Sequence, residues 1–187
     1  MVAGLPAADS NMIEKTQRAI DALYLACIWV AGLSIVAMSL IIPVGVFARY
    51  VLGYGAQWPE PIAILLMVVF TFIGAAAGYR AGSHIAVGMM TDRLSPPVQK
   101  VLRVLVNVLM VAVCLFMIIW GFKLALETMN QSLAAIPEIS VGLTYLPLPL
   151  GGLFTLVFVL ENILLGPQHA RAIVRYDTTV VEATPEI

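Results

Sequence analysis

Four stretches of this chain carry no charged residue: 22–48, 61–79, 104–122 and 139–160. Each is near or above the roughly 20 residues that a helix needs to cross about 30 Å of hydrocarbon. In lipid, every backbone N–H and C=O must find a partner within the protein, which selects helices or closed barrels. The runs lack the alternation of barrel strands, so helices are expected. Composition agrees. The chain is 61% hydrophobic and 11% charged, whereas a soluble domain carries about 25% charged residues. A net charge of −1 provides no basic field for nucleic acid. Cys27 and Cys114 both lie inside apolar runs and read as small core residues, with no metal-ligand spacing and no disulfide framework.

The fold class expected is therefore an all-α integral membrane protein of four transmembrane helices, at about 23–48, 61–79, 102–122 and 143–163. Residues 1–22 precede the first span and 166–187 follow the last. The start is not expected to be a cleavable signal peptide. It mixes Asp9, Glu14 and Asp21 with Lys15 and Arg18, and the apolar run after it exceeds the usual signal core of about 7–15 residues. The basic residues set the orientation. Lys15, Arg18, Arg80, Arg93, Lys100, Arg103, Arg171 and Arg175, eight of the ten, fall in the first tail, the second loop and the last tail. The positive-inside tendency places those three segments, and hence both termini, in the cytoplasm.

Two connectors carry helix signals. Ser95 followed by Pro96 and Pro97 is the pattern of a helix start, and that helix should run on through the third span. After Lys123, the spacing of Leu126, Met129, Leu133 and Ile136 predicts an amphipathic connecting helix along the outer interface, ended by Pro137. Pro147 and Pro149 should disturb the start of the fourth span.

The polar and small residues near span ends are the candidate functional positions. Gly74 and Gly78 form a GxxxG pair with alanines between them, and Gly82 continues the spacing; small residues let helices approach closely in lipid. Arg80 reads as a membrane-boundary anchor. His84 has two readings, a proton-handling group or an interfacial histidine bonded to a carbonyl or headgroup. Arg49 and Glu60 bracket the first outer loop with Trp58. They could pair and close that loop, or contribute to a substrate site. Glu161 lies close enough to a boundary to reach the headgroups, beside Asn162. None of these lies at the middle of a span. An autonomous secondary transporter calls for midplane polar sites and internal repeats, and a haem anchor calls for facing axial ligands. The two histidines, His84 and His169, do not supply those ligands. No catalytic, cofactor or metal site is expected. What remains is a packing or assembly role, with an autonomous oligomeric channel or transporter and a redox-enzyme anchor as alternatives.

Three segments, FARYVLGYGAQWPEP (47–61), GAAAGYRAGSHIAVGMM (74–90) and IPEISVGLTYLPLPLGG (136–152), occur in this order around these spans. Together they resemble the small membrane subunit, the Q or DctQ-type subunit, of tripartite ATP-independent periplasmic (TRAP) transporters, over roughly residues 15–165. Arg49-Tyr50, Trp58, Glu60, and the Arg80, His84, Ile85, Val87 segment carry the likeness. Pro61 and Gly88 depart from it, standing where the family often has acids. The resemblance implies a bacterial inner-membrane protein in a sodium-driven importer of organic acids, often carboxylates. Its implied partners are a large multi-span M subunit that carries the substrate and a periplasmic substrate-binding protein. The small subunit would be a fixed scaffold with a part in docking, and would not bind substrate. Arg49, Trp58, Glu60, Gly74, Gly78, Arg80 and His84 are then candidate subunit-interface or structural residues.

Overall fold

The computed structural model describes residues 7–55, 57–82, 95–134 and 136–165. Helix α1 spans Ala7–Tyr50, α2 spans Pro59–Arg80 and α3 spans Pro96–Glu127. A two-stranded hairpin follows, β1 (Ser132–Leu133) and β2 (Ile136–Ser140). Short α4 (Val141–Tyr145) leads into α5 (Pro147–Leu165). Four segments are long and apolar enough to cross a membrane: Glu14–Tyr50, Pro59–Arg80, Pro97–Glu127 and Val141–Leu164. The chain is a mostly helical, four-span integral membrane protein.

Local chemistry explains the helix ends. Gly53 and Gly82 have positive φ, 65° and 78°, a region costly to residues with a Cβ. Gly82 closes α2 two residues after Arg80, so it is a terminator and does not extend the Gly74–Gly78 face. Ser95 sits at the N-cap of α3 in extended conformation with prolines in the first turn, as its sequence predicts, although its side chain makes no capping bond. Pro147 and Pro149 divide the last span. Helix α4 ends at Tyr145, Leu146 caps it, and α5 begins at Pro147.

The connection from α3 to α5 differs from the expected amphipathic helix. Helix α3 stops at Glu127, and residues 128–130 turn into the hairpin. The Ser140 hydroxyl donates to the Met129 carbonyl (2.6 Å) and accepts from the Gly142 N–H (3.1 Å). It thus ties the turn to the start of α4. Leu133, Ile136 and Ile139 line a small apolar notch with Pro61, Ile62 and Leu65 of α2. Leu133 and Ile136 of the expected stripe are spent on covering the start of α2, a tertiary contact that overrides local periodicity, while Leu126 and Met129 stay exposed.

The principal contacts join α1 to α2, α2 to α5, and α5 to α3. The last helix in sequence thus lies between the second and third, and α1 and α3 are the outer members of a row. Their outer faces are apolar. Trp29, Leu33, Val36 and Leu40 of α1, and Val104, Val108, Phe116 and Ile119 of α3, are each more than half exposed. Such a surface suits lipid or another membrane helix and not water.

Glycines set how closely the row packs. A Cβ on Gly151 would lie 2.7 Å from the Phe72 Cβ and 2.9 Å from its carbonyl oxygen. One on Gly142 would lie 2.4 Å from the Ala125 carbonyl oxygen. At Gly74 the nearest neighbour would be Ala31, at an ordinary 3.6 Å. The Gly74 face therefore packs on α1 of this same chain, and alanine fits there. Gly151→Val is expected to cost about 1–3 kcal/mol by overpacking and to lower the melting temperature in detergent, with Gly74→Ala near wild type. Equal losses from the two would contradict this packing.

Candidate functional site

The polar centre of the molecule lies where α2 ends. Arg80, the last residue of α2, is 9% exposed and Glu161 of α5 is 4% exposed. The arginine Nε donates to Glu161 Oε2 at 2.7 Å and its Nη2 to Oε1 at 2.8 Å. This is the bidentate fork to which a planar guanidinium is suited. Nη2 also donates to Asp21 Oδ1 of α1. The guanidinium carbon lies 5.0 Å from the centroid of the Tyr24 ring and 5.6 Å from that of Phe158. Those two rings meet edge to face at 6.3 Å. Nearby, Asn162 Nδ2 donates to the Tyr79 hydroxyl at 3.3 Å.

Each element positions one part of this clamp. Gly82 ends α2 so that Arg80 falls in its last turn, where a cation is favoured by the helix dipole. Asp21 and Tyr24 lie three residues apart on one face of α1, and Phe158 and Glu161 do so on α5. The cluster continues into the apolar core of Tyr24, Cys27, Ile73, Ala76, Ala77 and Phe158. The expected boundary anchor, Arg80, is therefore turned inward. Glu161 meets Arg80 and not the headgroups, because three charges at a hydrocarbon edge are better satisfied by one another than by partial solvation. The pairing spans 81 residues, and no local pattern announces it. The available signal was one uncompensated cation and one uncompensated acid at span ends of the same side.

The other candidates are dispersed. Arg49 and Glu60 form an ion pair at 2.9 Å across the α1–α2 loop, the pairing their positions suggested. Both are substantially exposed, so the pair contributes about 0–1 kcal/mol. Trp58 occupies the N-cap position of α2 without a side-chain capping bond. Gly74 and Gly78 lie along α2, half-buried. His84 lies outside the described residues. Among the described residues, no group of His, Cys, Asp and Glu could hold a metal ion. The clamp brings together Asp21, Arg80 and Glu161 with both carboxylates engaged. It offers neither a nucleophile nor an open coordination site, and its chemistry is that of a helix fastener.

Fold and site together define a multi-span membrane protein whose buried charges are used to hold helices together. Residues 38–168 match the family model of the DctQ component of tripartite ATP-independent periplasmic transporters, and the chain belongs to that family. It is also 24% identical over 143 residues to a Haemophilus influenzae protein whose name places it among TRAP transporter small permeases. The match covers 76% of this chain and 86% of that protein.

Removing one partner of a buried ion pair leaves the other charge unpaired, at about 3–5 kcal/mol. Glu161→Gln and Arg80→Gln are each expected to lower the melting temperature strongly. Asp21→Asn should do so less, because Asp21 is partly exposed. The double variant Arg80→Leu/Glu161→Leu should be less damaged than the sum of Arg80→Leu and Glu161→Leu. Strictly additive losses in thermal melts of the four purified proteins would show that the two side chains are not coupled.

Proposed function

We propose that this chain is the non-catalytic scaffold subunit of a sodium-driven, binding-protein-dependent TRAP importer of organic acids in a bacterial inner membrane. Both termini face the cytoplasm. The subunit supports the large M subunit and contributes to docking of the periplasmic binding protein. Substrate and sodium are handled by the other components. Family membership supports the transporter assignment. The observation that carries the scaffold role is the Arg80 clamp, which commits charges of three helices, those of Arg80 and Glu161 buried, to one another. An elevator or channel element needs polar groups along its path, whereas here the middle of every span is free of charged residues. The exposed apolar faces of α1 and α3 provide area for a second membrane subunit.

Affinity purification from the native membrane in mild detergent, with mass spectrometry of equimolar companions, tests this reading. A large multi-span protein is expected to co-purify. A homogeneous preparation of this chain alone that conducts ions in liposomes would establish an autonomous channel instead. Two substitutions refine the test. Gly78→Leu is expected to reduce the yield of the complex, because a bulky side chain on the small face of α2 disturbs packing. Unchanged yield and uptake would remove Gly78 from that role. His84→Gln is expected to retain most sodium-driven uptake. Loss of transport with the complex intact would make the histidine part of the mechanism.

A further inference from the structure

The row of helices is uneven at the end that carries the clamp. Helix α2 has 22 residues and is about 33 Å long, close to the roughly 30 Å of a hydrocarbon core. Arg80 at its end therefore marks one hydrocarbon edge. Helix α1 does not stop there. It begins 14 residues before Asp21, an overhang of about 21 Å. Helix α3 overhangs as well. A Cβ on Gly152 of α5 would lie 3.0 Å from the Met117 Cβ, and one on Gly121 of α3 would lie 3.0 Å from Pro149, which aligns those two antiparallel helices. Glu161 is nine residues further along α5, so its level on α3 is near Val108, with Pro96 about 18 Å beyond it.

The overhangs carry matched cations. Arg18 and Lys15 lie three and six residues before Asp21, about 4.5 and 9 Å past the clamp. Arg103 and Lys100 lie about 7.5 and 12 Å past it by the same measure. Each pair is spaced i, i+3 and so shares a helix face. All four residues are exposed. Arg18 pairs with Glu14 at 2.6 Å. Helix α3 has no acidic residue from Pro96 to Phe122. The headgroup zone is about 5–8 Å deep on each side of the hydrocarbon, so Arg18 and Arg103 fall within that layer, and Lys15 and Lys100 lie just beyond it, where a long side chain reaches back to it.

We propose that the Lys15/Arg18 and Lys100/Arg103 pairs are grips for anionic phospholipid headgroups, one on each outer helix of the row. The clamp contributes by elimination. Among the described residues, Arg80, the cation nearest the hydrocarbon edge, is taken up by Glu161 and Asp21, which leaves the phosphate layer to the four residues beyond it. Juxtamembrane Lys and Arg attract anionic lipid surfaces, and the attraction is screened by salt. The inference rests on the membrane placement of the four spans and not on the identity of any partner subunit.

The test uses the purified full-length chain in mild detergent. Its melting temperature is followed while short-chain phosphatidylglycerol or phosphatidylcholine is added. Phosphatidylglycerol is expected to act at a concentration about fivefold or more below that of phosphatidylcholine. Lys15→Gln/Arg18→Gln and Lys100→Gln/Arg103→Gln should each reduce that preference, and Lys123→Gln at the opposite end should not. Raising salt from about 0.05 to about 0.5 M should abolish the preference in the unmodified chain, a readout that does not depend on the variants folding. Equal responses to the two lipids would overturn the proposal. So would a preference that survives both paired substitutions or high salt, or a shift reproduced by inorganic phosphate alone, which would indicate a free-anion site. Co-purification of a partner subunit is untouched by any of these outcomes.

Discussion

The arrangement of this protein depends on a single guanidinium. An arginine at the edge of hydrocarbon must be solvated, snorkelled or paired. Here it is paired, with Glu161 in a two-point fork and with Asp21 as a third arm. The Tyr24 and Phe158 rings lie within cation–π distance of it. The charges sit on α1, α2 and α5, so satisfying one residue fixes the relative depth and rotation of three helices. A hydrophobic cluster of similar volume could be as stable. It would not specify the register in the same way, because apolar contacts in lipid are nearly interchangeable with lipid contacts.

Close packing completes what the clamp begins. Gly151 against Phe72 joins α5 to α2, and Gly121 against Leu148 and Pro149 joins α3 to α5. At the opposite end, Gly45 against Pro59 draws α1 to α2, beside the Arg49–Glu60 pair. The hairpin then covers the start of α2, held by the Ser140–Met129 bond. A row locked at both ends leaves the apolar outer faces of α1 and α3 as its main external surface. That geometry suits the scaffold role proposed above.

The sequence by itself determined the spans, because charge-free runs of that length have few alternatives in lipid. It also determined the start of α3 at Ser95, the break at Pro147 and, through three linked segments, the family, and it brought Arg49 and Glu60 to the two ends of one short loop, where the structure pairs them. Each of these depends on neighbours in the chain or on bulk partition into lipid. Only the tertiary structure decided that Arg80 and Glu161 face inward, that Gly151 and Gly142 are the tight contacts where Gly74 is not, and that residues 128–140 form a turn and hairpin. Those outcomes depend on which helix lies beside which. That order places α5 between α2 and α3, and periodicity within one segment cannot encode a contact made 81 residues away.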